Sequence, residues 1–278
     1  MRRQLTSWEF DICEMAFGAY LIARSQGADV TAIPVFPRRS FFHTGFACHA
    51  NARFDPRGLA GKRIGVAEYV QSATIWARGV LEHDFGMDPR TVQWYLERAG
   101  SGSTGEVLGF KPPQDLSVQQ TPGGKSLAAM LSAGELDLAL IGSNVRAQAG
   151  AAMHPLFADP VAEGKRFYEV HGYVPANHTY MVSGRLAREH PALVASLYRA
   201  FCESKTRARD ALPAERLPGE LFGAEQLARA CAAFTGDPFS YGIGSNRNML
   251  ETVVALCAEQ GLILDTPSIE QLFIPGTD

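Results

Sequence analysis

The feature that most constrains this chain is the stretch from Gly65 to Gly86, GVAEYVQSATIWARGVLEHDFG. A short apolar run, Arg63-Ile64-Gly65-Val66-Ala67, reads as a buried strand, and a polar corner, Glu68-Tyr69-Val70-Gln71-Ser72, follows it. Beyond the corner, Ala73, Trp76, Ala77, Val80 and Leu81 fall at i, i+3, i+4, i+7 and i+8, one apolar stripe at helical spacing. A strand that feeds a helix through a polar turn leaves first-turn N–H groups and the positive end of the helix dipole at the corner. Two readings of that corner stand side by side. It holds an anionic ligand, or Ser72 or Gln71 simply caps the helix.

Composition narrows the class. A chain of 278 residues can hold one large or two medium domains with ample core. Hydrophobic residues at 46% and charged residues at 20% exclude a disordered or highly charged tail protein. A formal net charge of −3 gives no electrostatic case for nucleic acid, and no apolar run approaches the roughly 18 residues of a membrane span. The cysteines number five, an odd count without a CxxC pair, which favours a reducing compartment over a disulfide framework. Met1-Arg2-Arg3-Gln4-Leu5 has charge but no apolar run behind it, so it does not read as a signal peptide. The expected location is therefore the cytoplasm.

Along the chain, Phe10–Cys13 reads as a strand, Ala16–Ser25 as a helix, and Asp29–Phe36 as a second strand bent by Pro34. Arg38-Arg39-Ser40-Phe41-Phe42-His43 packs two guanidiniums, two rings and an imidazole into six residues. That set suits an aromatic dicarboxylate, because arginine grips carboxylates through a planar fork; the plainer alternative is an exposed basic turn. His43, Cys48 and His49 fit no standard zinc spacing, so no metal is expected. Strand and helix then alternate from about Leu59 to Val170, which argues for parallel α/β layers. Gly100-Ser101-Gly102-Ser103-Thr104-Gly105 reads as a flexible loop, and Gly123-Gly124-Lys125-Ser126 lacks the upstream glycine of a P-loop. A helix over Leu127–Gly134 and a buried strand over Glu135–Ile141 follow. The C-terminal part is helical, with stripes at Val194/Leu197/Tyr198/Phe201, Leu227/Ala230/Cys231/Phe234 and Leu250/Val253/Val254/Cys257/Ala258. Cys202, Cys231 and Cys257 lie on these apolar faces and read as core.

Five segments, in one order, carry a resemblance: EFDICEMAFGAYLIAR, AIPVFPRRSFFHTGF, GKRIGVAEYVQSATIWARGVL, GYVPANHTYMV and YGIGSNRNMLETVVALCAEQGL. The chain resembles the 4,5-dihydroxyphthalate decarboxylase family. The resemblance implies an α/β fold of the two-lobed periplasmic-binding-protein type (type II) with a cleft between the lobes. Lobe 1 would comprise residues 1–47 plus 176–278 and lobe 2 residues 48–175, with crossovers near Cys48 and Tyr173. Family members carry a further strand and helix ahead of the segment RRQLTSWEFDICEM, so the sequence is expected to start inside that helix.

The resemblance also implies a reaction, decarboxylation of a dihydroxylated aromatic dicarboxylate, without a cofactor. His178, which matches the histidine of the family's segment, is the first candidate for the proton donor and His43 the second, with Glu68 or Glu14 as a partner for the phenol. Arg38 or Arg39, Tyr69 and the helix start Gln71, Ser72 and Thr74 are expected to hold carboxylates, and Asn177 and Tyr241 to line the cleft. The expected partner is a small aromatic carboxylate, with no nucleic acid and no membrane segment; self-association into a homo-oligomer is left open. The alternative function is a non-catalytic solute receptor of an ABC transporter. A receptor needs carboxylate clamps and stacking rings, whereas a decarboxylase also needs an acid.

Overall fold

Continuous apolar runs become the centre of a sheet here. The computed structural model describes residues 2–142, 152–211 and 237–276. These form two compact units. Unit 1 comprises residues 1–40, 164–259 and 263–278; unit 2 comprises residues 41–163 and 260–262.

Unit 1 opens with Arg2–Ser7 (α1), Ile12–Ala16 (β1), Phe17–Ser25 (α2) and Val30–Ile33 (β2). Unit 2 supplies Phe46–His49 (β3), Arg63–Val66 (β4), Ser72–His83 (α3), Gln93–Leu96 (β5), Thr104–Val107 (α4) and Ser117–Gln120 (β6). Leu127–Ser132 (α5), Leu138–Leu140 (β7) and Met153–Pro155 (β8) complete it, and Pro160–His171 (α6) starts in unit 2 and ends in unit 1. Unit 1 then continues with His178–Ser183 (β9), Gly184–Glu189 (α7), Pro191–Asp210 (α8), Arg247–Glu259 (α9) and Ile269–Leu272 (α10).

Unit 2 is built on a six-stranded sheet of order β6-β5-β4-β7-β3-β8. The first four strands run parallel, while β3 lies antiparallel to β7 and to β8. Strands buried on both faces read as near-continuous apolar runs, as β4 and β7 do. Ile64, Val66, Trp94, Leu138, Ala77 and Leu81 share one core cluster, and Leu127, Met130, Leu131, Leu136 and Ala139 form another. Gly65 permits this close packing: a Cβ there would stand 2.6 Å from the methyl carbons of both Leu127 and Leu136. The helix α3 ends where Gly86, at φ 73°, donates its N–H to Glu82 O, a conformation that glycine adopts without Cβ strain.

Unit 1 has a three-stranded sheet of order β1-β9-β2, both outer strands antiparallel to β9. On one face Ile33, Val35, Val182, Leu186, Val194 and Ile274 form the core. The helix α8 starts with Pro191, where the fixed φ suits a first helical position. In α9, Leu250, Val253, Val254 and Cys257 are buried as their spacing predicts.

Some expectations shift. The first strand lies at Ile12–Ala16 rather than Phe10–Cys13, and the second shortens to Val30–Ile33. Phe46-Ala47-Cys48-His49 is the strand β3, inside the six-stranded sheet. The glycine-rich stretch Gly100–Gly105 is not a flexible loop. A 3-10 turn at Gly100–Gly102 leads into α4, capped by Ser103 through Glu106 N. Cys202 is half-buried and Cys48 and Cys257 are buried, all as free thiols. The expected stripe at Leu227, Ala230, Cys231 and Phe234 lies outside the described residues. No helix among the described residues is long and apolar enough to cross a membrane.

Candidate functional site

In unit 1, antiparallel pairing sets Glu14 opposite Tyr180 and Ala16 opposite His178. Alternate residues of a strand share a face, so Glu14 on β1 and His178 on β9 are diagonal neighbours across the ladder. The result is a hydrogen bond of 2.5 Å between His178 Nδ1 and Glu14 Oε1. The pair is reachable from solvent, with side-chain exposures of 22% for His178 and 44% for Glu14. An ionised carboxylate only accepts, so Nδ1 is the donor in this pair and Nε2 is the free position of the ring. Two residues joined by the fold across 164 positions thus form a histidine oriented by a carboxylate.

The residue before His178 is held on both backbone sides. Asn177 N donates to Arg38 O (2.8 Å) and Asn177 O accepts from Phe17 N (2.8 Å). Its side-chain oxygen, Oδ1, is buried without a hydrogen-bond partner. Arg38 is exposed, whereas Arg39 is buried. The guanidinium of Arg39 donates from Nη1 to Val174 O (2.9 Å), and from Nη2 to Ser240 O (2.7 Å) and Asn246 Oδ1 (2.6 Å). Burial pulls its pKa down to about 10. Both terminal nitrogens of Arg39 are thus on protein oxygens, while its Nε is buried without a hydrogen-bond partner. Tyr241 is half-buried, with Lys205 Nζ 4.6 Å over its ring. Burial pushes its phenol up to about 12, with Tyr180 adding to the shift and Arg39 opposing it. Tyr180 is raised by burial and then by the Glu14 carboxylate.

In unit 2 the corner before α3 takes a definite form. Gln71 occupies the N-cap with extended backbone, and its side chain makes no capping hydrogen bond. The reading in which Gln71 caps the helix is therefore set aside. Ser72 and Thr74 in the first turn are both buried, and Thr74 Oγ1 has no hydrogen-bond partner. Buried polar atoms are ordinarily satisfied, so such a hydroxyl calls for an explanation. Tyr69 donates its hydroxyl to Gln260 O (3.1 Å). Burial raises its phenol, against the pull of Arg78, so it acts as a neutral donor.

One turn beyond Thr74 stands Arg78, which the sequence reading passed over. It is fully buried, with its guanidinium 3.7 Å over the Tyr69 ring and 5.6 Å over that of Trp94. It donates to Tyr69 O and to Gln260 Oε1, and Gln260 Nε2 in turn donates to Ile75 O (3.0 Å). A fixed cation thus underlies the N-terminal end of α3. The available signal was its i+4 spacing from Thr74 on a helix that is apolar on the adjoining face.

Two expected acid–base residues of unit 2 have other partners. Glu68 is buried, and its carboxylate accepts from Arg98 Nη1 (2.9 Å) and Thr104 N (2.6 Å). It therefore fastens the start of α4 to the end of β4, and it is not available as a partner for a substrate phenol. His43 is fully buried, with Nε2 2.9 Å from Glu163 Oε1 and its ring edge-on to Phe157. Among the described residues no cluster of three or more His, Cys, Asp or Glu side chains could hold a metal ion.

No family model matches this chain. It is 31% identical over 286 residues to a 4,5-dihydroxyphthalate decarboxylase of Comamonas testosteroni, covering 99% of this chain and 85% of that protein. It is 34% identical over 172 residues to a 4,5-dihydroxyphthalate decarboxylase of Pseudomonas putida, covering 59% of this chain and 66% of that protein. Among solved structures, it is similar to the periplasmic aliphatic sulphonate binding protein SsuA from Escherichia coli. That likeness has a TM-score of 0.55 and 14% identity, over 98% of this chain and 77% of that one. It is also similar to the desulfurization enzyme DSZB, with a TM-score of 0.58 and 17% identity, over all of this chain and 88% of that one. The fold is that of the periplasmic-binding-protein class, and it houses a binder in one case and an enzyme in the other. Fold by itself does not choose between them.

Proposed function

This chain belongs to the 4,5-dihydroxyphthalate decarboxylase family, a family of carboxy-lyases, and from that premise we propose that it converts 4,5-dihydroxyphthalate to protocatechuate and CO2 by protonating the ring. The observation that carries the mechanism is the His178–Glu14 pair in unit 1.

Each carboxylate of the substrate lies para to a hydroxyl. A proton delivered to the carboxyl-bearing carbon forms a C–H bond from a ring π pair, and electron release from the para phenol stabilises the resulting cation. The C–CO2 bond then breaks, its electron pair returns to the ring, and aromaticity is restored. One proton is taken up and one CO2 leaves. The ring itself accommodates the electrons, so this route calls on no further electron sink.

What the protein supplies is an acid at the right atom. Histidine suits the task because its ordinary pKa, about 6.5, lies near working pH. Glu14 fixes the ring orientation through Nδ1 and stabilises the charged imidazolium, so that Nε2–H is the bond that delivers the proton. This assignment makes Glu14 a partner of the acid rather than of the phenol. Asn177, with its unpartnered oxygen one residue away, is assigned a substrate hydroxyl as donor. Tyr241 is kept as a neutral contact to the substrate.

The carboxylate that stays behind needs an anchor. In unit 2 the first turn of α3, taken by itself, has the chemistry to receive a carboxylate through the Thr74 hydroxyl and the dipole backed by Arg78. In unit 1 that part falls to the exposed Arg38, since Arg39 is engaged elsewhere. A receptor role for an ABC transporter is the weaker reading, because the likeness that spans 99% of this chain is to a decarboxylase. The direct test is incubation with 4,5-dihydroxyphthalate, following CO2 and protocatechuate. Stoichiometric release of both supports the proposal; tight binding without turnover would return the chain to the receptor class.

A further inference from the structure

Unit 2 contains a cavity that the reaction above does not use. It encloses about 440 Å³, within the range of roughly 300–1,000 Å³ typical of small-molecule sites. We propose that it is a binding site for a small uncharged phenolic ring.

Its walls decide the ligand class. One wall is the Tyr69–Phe110 pair, stacked with centroids 5.6 Å apart and planes 14° from parallel. The Tyr69 hydroxyl is engaged by Gln260 O, and its ring carries the Arg78 guanidinium and stacks on Phe110, so that the aromatic surface this wall offers is that of Phe110. Leu96 and Val118, from the adjacent strands β5 and β6, extend the apolar surface. Flat aromatic and aliphatic walls of this kind favour a planar ring, which stacks offset or edge-on against them.

The charge pattern excludes the anions discussed above. Among the described lining residues there is no lysine, arginine or histidine, and Glu106 is the one carboxylate. A dicarboxylate here would lose its hydration without gaining a counter-charge. Neutral hydrogen-bond acceptors are present instead. Gln114, Gln119 and Gln120 line the cavity, and each carries a neutral amide whose carbonyl can accept from a phenolic hydroxyl.

The cavity is also preformed. Pro113 in its wall packs against Gly261, where a Cβ would stand 2.9 Å from Pro113 Cγ. Proline fixes φ, so the loop pays little ordering entropy on binding.

The test uses the whole chain and resorcinol as the probe, titrated calorimetrically with and without saturating phthalate. Binding that persists under phthalate, and that weakens at least tenfold in both Phe110→Ala and Leu116→Arg, supports the proposal. Undetectable binding, displacement by phthalate, or unchanged affinity in the two variants overturns it. Because the variants could unfold, a second measurement is made on the unaltered chain with labelled methyl groups. Resorcinol should shift the resonances of Leu96, Leu116 and Val118, and shifts confined to other methyls overturn the proposal. Neither measurement depends on turnover, so failure here leaves the decarboxylase reading standing, and failure of that reading leaves the cavity untouched.

Discussion

Each unit shows a histidine–carboxylate pair among its described residues, built from the same groups in opposite surroundings. In unit 1 His178 and Glu14 sit on neighbouring strands at a solvent-reachable face. In unit 2 His43 and Glu163 are sealed, with side-chain exposures of 0% and 9%. His43 is edge-on to Phe157, beside the core that also contains Trp94 and Leu138. A proton donor must touch its substrate, so access separates a catalytic histidine from a structural one where chemistry alone does not. Sequence reading ranked these two imidazoles as first and second candidates for one task, and the fold assigns them different surroundings.

The largest expected effect tests the open pair. His178→Ala should lower kcat by about 10²–10⁴, the usual contribution of a general acid, with substrate affinity little changed. The measurement is steady-state release of protocatechuate. A variant that binds poorly yet turns over normally at saturation would make His178 a binding residue.

The sealed pair should fail in another currency. His43→Ala removes this buried hydrogen bond, a loss that costs about 1–3 kcal/mol. Denaturant unfolding should therefore show His43→Ala destabilised by that amount, with kcat of the folded fraction close to normal. A loss of kcat comparable to that of His178→Ala, in protein of undiminished stability, would break the comparison.

How much of this was legible beforehand follows from the range of each interaction. The stripe of α3, the proline that opens α8 and the buried face of α9 depend on spacing within a few residues, and the periodicity of the chain reports them. The 2.5 Å contact between Glu14 and His178 depends on the register of β1 against β9, which no local pattern encodes. Their segments were identified by resemblance; their pairing was not. Glu68 shows the same limit. Its carboxylate is claimed by Arg98 and by Thr104 N, 30 and 36 residues further on, where the glycine-rich stretch makes an ordered turn into α4. Arg78 was missed for a different reason. A lone charge on a helix is ordinarily solvated, and here the stack on Tyr69 and the amide of Gln260, 182 residues away, give it a place inside.

A smaller effect is expected at the carboxylate of the open pair. Glu14→Gln still accepts a hydrogen bond but no longer presents a charge, and charge-assisted bonds are roughly twice as strong as neutral ones. A fall of about tenfold in kcat, with KM unchanged, is the expected result. If kcat is unaltered, the carboxylate contributes nothing to the acid, and the open pair differs from the sealed one only in exposure.

The smallest effect sharpens the contrast between groups that have a partner and groups that await one. Thr74 Oγ1 lies in unit 2, in the first turn of α3, buried like His43 but with no hydrogen-bond partner. Thr74→Val keeps the side-chain shape and removes the hydroxyl. If the hydroxyl had no function, its removal would relieve an uncompensated burial and leave binding alone. If it receives a substrate carboxylate, the same change has two consequences of opposite sign. Stability without substrate should rise by up to about 1 kcal/mol, and affinity for the aromatic dicarboxylate should fall by about two- to tenfold, the worth of one net hydrogen bond. Thermal unfolding of the ligand-free protein and equilibrium titration with phthalate measure the two separately. A gain in stability without any loss of affinity would take the α3 corner out of the substrate site, while a loss of both would make Thr74 part of the fold in the way His43 is.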